Sequence, residues 1–198
     1  DWGNEDAPPL ILIHGRMDHC RNWDWVARRL ADRYHIIAPD LRGHGDSDWA
    51  IGNAYRMYDY IYDLCELVAQ LQLAPVTLIG HSLGGGIATK FTGAYPDQVA
   101  KLVSIEGLGS APDFLEKEAK ISASEKMQRW AKEMQRIAAK PERQFATREQ
   151  AVARMQQANG HLSEERARHL ALEGICQKEN GQYRWKYDPY VGAHPPFD

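Results

Sequence analysis

Short apolar runs alternate with longer amphipathic segments over the first half of this 198-residue chain. The runs have the length and composition of strands that are buried on both faces. Two intervening segments carry apolar residues at the three- and four-residue spacing of an amphipathic helix. Such alternation of strand and helix is typical of right-handed crossover units and predicts the α/β class. The predicted strands cover residues 9–13, 34–38, 76–79 and 101–105, and the predicted helices cover residues 25–30 and 60–71.

The pattern changes after Gly109. Residues 116–186 are rich in charged side chains and poor in β-branched ones. Met127, Trp130 and Met134 recur there at helical spacing, which predicts a group of amphipathic helices rather than more strands of the same sheet. The chain therefore has a strand-and-helix part followed by a helical part.

A Gly-x-Ser-x-Gly motif centred on Ser82 joins the strand at residues 76–79 to a following helix. A nucleophile must project from the carboxyl end of a strand, and the turn that does this leaves no room for side chains at Gly80 and Gly84. Ser82 is therefore the candidate nucleophile, and the backbone N–H of Leu83 is a candidate donor to the oxyanion formed on attack. The alternative, a glycine-rich connection with an incidental serine, is disfavoured by the strand and helix around the motif.

A second motif, His14-Gly15-Arg16, follows the first predicted strand. In folds that use a nucleophile turn, a loop at this position supplies the second oxyanion donor, which we assign to the backbone N–H of Arg16. A plain strand-ending turn is the alternative.

The loop at residues 39–48 is rich in Gly, Asp and Ser. It lacks the Lys-Ser/Thr of a phosphate loop and the third glycine of a dinucleotide fingerprint, so it predicts neither kind of site.

Three motifs in this order resemble the α/β-hydrolase superfamily: His14-Gly15, residues 39–47 and the motif around Ser82. The resemblance implies a mostly parallel open sheet with helices on both faces. It also implies an active site at the carboxyl edge of the strands, where open sheets of this kind bind ligands.

The resemblance further divides the chain into three parts. Residues 1–110 are expected to form a partial hydrolase core, and residues 111–190 a helical cap over the nucleophile. Residues 191–198 are expected to return toward core strands that the sequence lacks, so the whole is an incomplete α/β-hydrolase fold. Four apolar cap residues either line a substrate pocket or simply pack the cap. They are Trp130, Met134, Met155 and Trp185.

Glu106 follows the strand at residues 101–105 and is the candidate acid of a catalytic triad. The haloalkane dehalogenase branch of the resembled superfamily takes its acid from this strand end, although that branch has an aspartate where this chain has Ser82. A carboxylate that only accepts backbone N–H bonds is the alternative.

The catalytic histidine should follow the acid in the chain. Only His194 does so in a suitable place, and it is better explained as a loop residue beside prolines. We therefore expect the histidine to lie outside this sequence, which would be the middle of a longer hydrolase or an incomplete chain.

The resulting hypothesis is a serine hydrolase that acts on an ester or related acyl substrate through a Ser-acid-His triad. Carbon–carbon bond hydrolysis and perhydrolysis use the same serine apparatus and stay open. A catalytically silent scaffold that binds a small ligand or a protein partner is the alternative from a different class. Little or no activity is expected of the chain as given, because loss of the base removes most of the activation of the serine.

The composition of the chain limits the classes of partner that it is expected to bind. A net charge of −3 with no basic patch argues against nucleic acid. No apolar stretch is long enough to cross a membrane and no leader is evident, so the expected location is the cytoplasm. Three cysteines without metal-type spacing favour neither a disulfide framework nor a metal site, and serine chemistry needs no cofactor. The expected partners are a small acyl substrate and either a complementary C-terminal fragment or a second copy of the chain.

Overall fold

A four-stranded parallel sheet forms the centre of the computed structural model, which describes residues 1–193, 195 and 196. The strands lie in the order β2-β1-β3-β4, so that each connection crosses over the sheet. They are β1 (Pro9–Ile13), β2 (His35–Ile37), β3 (Val76–His81) and β4 (Val99–Ile105).

Helices cover both faces of this sheet. The connecting helices are α1 (Asp24–Leu30), α2 (Met57–Gln70) and α3 (Leu83–Ala94). Successive residues of β1 point to opposite faces: Leu10 and Leu12 pack in the same cluster as Ala27 of α1. Ile11 and Ile13 pack in the larger cluster with α2 and α3. The predicted α/β class, with a parallel sheet between two layers of helices, is confirmed.

Helix α2 shows how the sequence fixes one of these layers. The carboxylate of Asp59 accepts the backbone N–H of Arg56 at 2.9 Å, which satisfies a donor at the start of the helix. Tyr60, Leu64 and Val68 then follow at four-residue spacing and form the buried face. The helix begins three residues before the predicted one.

The segment after β4 contains helices and a small second sheet. The helices are α4 (Pro112–Ala119), α5 (Ala123–Ala139), α6 (Arg148–Ala158) and α7 (Glu164–Glu173). The sheet is antiparallel, in the order β5-β7-β6, with β5 (Gln144–Phe145), β6 (Ile175–Gln177) and β7 (Tyr183–Trp185). Helices were predicted here but this sheet was not, because strands of two or three residues are too short to show a period of two.

Buried charge joins the second half of the chain to the core. Asp24, at the start of α1, receives two hydrogen bonds from the Arg21 guanidinium to one oxygen and one to the other. Its Oδ2 also lies 3.2 Å from Nε2 of His169 in α7. Arg21 reaches Glu173 at 2.9 Å, so α7 is held against the beginning of α1 by one connected network.

The outer strand β4 presents apolar side chains to solvent. Val103 is 46% exposed and Ile105 is 42% exposed, although both belong to a strand of the central sheet. Among the described residues, β4 pairs only with β3. No helix in the described part of the chain combines the length and apolarity needed to cross a membrane.

Candidate active site

Ser82 occupies a backbone conformation that few residues other than glycine adopt. It stands between β3 and α3 with φ of 51° and ψ of −114°, and its side chain is exposed. A non-glycine residue in this region costs on the order of 1 to 3 kcal/mol and persists only where its surroundings fix it. Here the backbone N–H of Ser82 donates to the carbonyl oxygen of Ile105 at 2.8 Å, which ties the turn to the end of β4.

The two motif glycines are needed because backbone approaches them closely. A Cβ on Gly80 would overlap the carbonyl group of Gly84, the second residue of α3. A Cβ on Gly84 would overlap the carbonyl oxygen of Ile13, at the end of β1. The turn is thus compressed between its own helix and the neighbouring strand, and it lifts Ser82 to the carboxyl edge of the sheet.

The loop after β1 lies beside this serine. A Cβ on Gly15 would be 3.5 Å from Cβ of Ser82 and 3.0 Å from Nδ1 of His81. Arg16 follows Gly15 in the chain, and its backbone N–H is the predicted second oxyanion donor. Its side chain is half-buried; burial lowers the pKa of the guanidinium, and the nearby Tyr60 partly opposes that shift.

Leu83 is the first residue of α3. The N–H groups of the first helical turn have no acceptor within the helix, and they lie at its positive end. This location suits the N–H of Leu83 to an oxyanion formed next to Ser82. The assignment of Leu83 and Arg16 to an oxyanion hole remains a prediction.

Glu106 extends into solvent next to the nucleophile turn. It follows Ile105, has a φ of 54° and its side chain is 82% exposed. Its Oε2 lies 3.9 Å from Nε2 of His81, whose side chain is partly exposed. The structure thus places the predicted acid at the carboxyl edge of the sheet, with His81 as its nearest described histidine. Its role in a triad remains a prediction.

A family profile described as the α/β hydrolase fold matches residues 8–178. The chain belongs to this family. Among curated relatives, an uncharacterized protein of Mycobacterium tuberculosis is 39% identical over 107 residues, which cover 54% of this chain and 31% of that protein. A probable serine hydrolase of Drosophila melanogaster is 34% identical over 110 residues, which cover 54% of this chain and 33% of that protein. The matched region is thus about a third of each relative's length.

Solved structures agree with the family. The thioesterase domain from the curacin biosynthetic pathway superposes with a TM-score of 0.80 at 26% identity. The superposition covers 96% of this chain and 65% of that domain. The arrangement of core and following helices is therefore shared with a larger enzyme of the same fold.

His14 is a structural residue of the hydrolase core. It is fully buried, and its Nδ1 lies 2.7 Å from the carbonyl oxygen of Gly15. Its Nε2 accepts the backbone N–H of Leu41 at 2.9 Å, so Nδ1 must carry the proton of the neutral ring. Burial, and then the neighbouring His44, lower the pKa of His14 to about 3. A ring with both nitrogens engaged in this way cannot serve as the base for Ser82.

Two further histidines, His19 and His169, make contacts away from Ser82. Nε2 of His19 lies 3.0 Å from the carbonyl oxygen of Leu170, and His169 joins the Asp24 network. The earlier candidate His194 lies outside the described residues. Within the described part of the chain, no three or more His, Cys, Asp or Glu side chains cluster as metal ligands would.

Asp18 is a partly buried carboxylate near the site that the sequence did not single out. It accepts Nδ2 of Asn22 at 2.6 Å and the backbone N–H of His19 at 2.9 Å. Burial raises the pKa of Asp18, while the charge of His81 is among the interactions that oppose the rise. Asp18 thus lies within electrostatic reach of the residue that precedes Ser82. Its position three residues after Gly15 was the only available sequence signal.

A cavity of about 210 Å³ opens beside the loop that carries Arg16. Met17 forms one wall, and Ile137, Trp185 and Tyr187 contribute apolar surface from the second half of the chain. Of the four residues considered for a substrate pocket, Trp185 lines this cavity. Met155 lines a neighbouring cleft of only about 30 Å³, and neither includes Trp130 or Met134.

Proposed function

We propose that this protein is a serine hydrolase that cleaves an ester or related acyl substrate with Ser82 as nucleophile. The observation that carries the proposal is the left-handed backbone of an exposed serine between β3 and α3, next to the Gly15 loop. Strain of this kind is kept where a side chain must project into an open site.

In this mechanism, Oγ of Ser82 attacks the carbonyl carbon of the substrate while a histidine accepts the hydroxyl proton. Negative charge moves to the carbonyl oxygen, where the backbone N–H groups of Leu83 and Arg16 donate to it. When the carbonyl re-forms, the leaving group departs with the proton from the histidine. Water then attacks the acyl-enzyme by the same route and releases the acid.

Glu106 is assigned the acid of the triad, holding the histidine in its active orientation. That histidine is not identified among the described residues. The proximity of Glu106 to Ser82 supports the assignment, since Ile105 is bonded to the nucleophile backbone. Relatives named as serine hydrolases and a thioesterase domain of the same fold support acyl transfer chemistry in general.

The proposal is tested with p-nitrophenyl esters of increasing acyl length and with a fluorophosphonate that labels activated serines. Ser82→Ala in the full-length protein should abolish both ester turnover and labelling while the thermal midpoint stays near that of the wild type. Ser124→Ala, at an exposed serine of α5, is the matched control. Turnover by Ser82→Ala at a near-normal rate contradicts the assignment.

A catalytically silent scaffold is the second candidate. It is favoured by the solvent-exposed carboxylate of Glu106, whose nearest described histidine partner is His81, the residue before the nucleophile. The fluorophosphonate separates the two functions, because a silent scaffold leaves Ser82 unlabelled. If labelling occurs without ester turnover, peracid formation and cleavage of β-diketones test the perhydrolase and carbon–carbon hydrolase activities.

A further inference from the structure

We propose that a second cavity, between α2 and the loop at residues 47–54, binds a neutral and largely apolar molecule that carries one hydrogen-bond acceptor. This site is distinct from the nucleophile turn. None of Ser82, Leu83, Arg16 or Gly15 is among the residues that line it.

The cavity has the size and lining of a small-molecule site. Its volume is about 580 Å³, within the range of roughly 300 to 1,000 Å³ that is usual for such sites. Most of the wall is apolar. It is formed by Ile13, Leu41, Trp49, Ile51, Leu64 and Ile87, together with smaller residues of the loop. Ile13 and Ile87 place it beside β1 and α3, against the core.

Tyr60 supplies the polar feature of this wall. Its side chain is only 2% exposed, and its hydroxyl has no hydrogen-bond partner among the described residues. Burial raises the pKa of Tyr60, so the hydroxyl keeps its proton near neutral pH and is available as a donor. A buried donor without an acceptor is costly, and a carbonyl, ether or hydroxyl oxygen in the cavity would remove that cost.

The charged groups of the wall argue against an anionic ligand. Arg42 is the only cation among the described residues that line the cavity, and Asp63 engages it through two hydrogen bonds of 2.6 Å. Asp40 and Asp48 add negative charge. The acceptor on the ligand is therefore the oxygen of a neutral group rather than a carboxylate or phosphate.

The loop over the cavity is attached at defined points. Arg42 also donates to the carbonyl oxygen of Ala54 at 3.2 Å. The hydroxyl of Tyr55 accepts the N–H of Ala50 and donates to Asp188, each within 2.9 Å. The loop is thus held above the cavity by polar contacts at its margins, while the side chains beneath it leave the space open.

The test compares benzophenone with diphenylmethane, which differ by one carbonyl oxygen, and with the anion 4-benzylbenzoate. Binding of each compound to the purified full-length protein is measured by its displacement of the neutral dye N-phenyl-1-naphthylamine. One net hydrogen bond corresponds to roughly a fivefold difference in affinity, so benzophenone should bind about five times more tightly than diphenylmethane. Tyr60→Phe should remove that difference, and 4-benzylbenzoate should bind more weakly than either neutral compound.

Two further measurements locate the site. Light-activated benzophenone inserts into nearby C–H bonds, and peptide mapping of the wild type should place the label in the loop at residues 47–54 or in α2. Ala54→Phe should fill the cavity and weaken binding of both neutral compounds at least tenfold. Ala69→Phe, at an exposed position of α2, is the control and should leave binding unchanged.

The proposal fails if the neutral compounds do not bind, or if they bind equally well to the wild type. It also fails if the anion binds as tightly as benzophenone or if the label maps elsewhere. Because binding is measured without turnover, and Ser82→Ala should bind like the wild type, these results are independent of the proposed hydrolase activity.

Discussion

Gly84, in the first turn of α3, packs directly against the carbonyl oxygen of Ile13 at the end of β1, leaving no space for a Cβ. Gly84→Ala should therefore push α3 away from the sheet and displace the nucleophile turn. We expect a loss of at least about 2 kcal/mol in the free energy of unfolding, the usual size of an overpacking effect. Chemical denaturation of the two proteins measures it.

Gly93 in the same helix provides the control, because a Cβ there meets no atom within 4 Å. Gly93→Ala should raise the free energy of unfolding by about 0.5 kcal/mol, since it restricts the unfolded chain and favours helix. If the two substitutions change the free energy of unfolding equally, close packing is not the reason that residue 84 is a glycine.

Much of the fold and of the nucleophile turn can be predicted from the sequence because their signals are local. The run at β1, the spacing in α2 and the glycines around Ser82 each reflect a steric or burial constraint on neighbouring residues. The hydrogen bond between His14 and Leu41 and the cavity beside Tyr60 bring together distant parts of the chain, and the spacing of residues in the sequence gives no signal for either. The approach of Glu106 to His81 likewise joins residues that are distant in the sequence.

The buried ring of His14 makes stability depend on pH. Its pKa falls from an ordinary 6.5 to about 3, so the unfolded chain binds one more proton between these values. The contribution of His14 is therefore complete above about pH 6.5 and is lost as the pH falls toward 3. The loss approaches about 1.4 kcal/mol per pH unit, because protonation breaks the bond from Leu41.

Comparison with His14→Gln isolates this group from the carboxylates. A glutamine amide retains one donor and one acceptor but does not titrate. The difference in unfolding free energy between the two proteins, measured from pH 8 to pH 5, should shrink as the pH falls. Parallel curves for the two proteins would contradict the assignment of a neutral, buried His14.

The ion pair of Arg42 and Asp63 should stabilise the loop after β2. Its two hydrogen bonds of 2.6 Å give it bidentate geometry, although the Asp63 carboxylate is partly exposed. A double-mutant cycle with Arg42→Gln and Asp63→Asn should give a coupling of about 1 kcal/mol. The same cycle on the exposed pair of Glu125 and Arg129 should give less, and an equal or larger value there would remove the special role of the first pair.

The buried carboxylate of Asp24 should control how firmly α7 is held on the core. It is 2% exposed and receives Arg21 and His169, whereas Arg21 is partly solvated. Asp24→Asn should therefore cost about 2 to 3 kcal/mol, near the lower limit for breaking a buried ion pair. Amide hydrogen exchange should accelerate in α7 more than in α2, because the described contacts of this network join α7 to α1 and to the turn before it, and none of them involves α2.

Two further substitutions distinguish this anchoring from a general loss of stability. Glu173→Gln removes only the outer contact with Arg21, so it should accelerate exchange in α7 at a small cost in global stability. Asp32→Asn, at an exposed position just after α1, should change neither. If Asp24→Asn accelerates exchange equally in α2 and α7, the charge stabilises α1 itself, and the attachment of α7 depends instead on contacts such as that of His19 with Leu170.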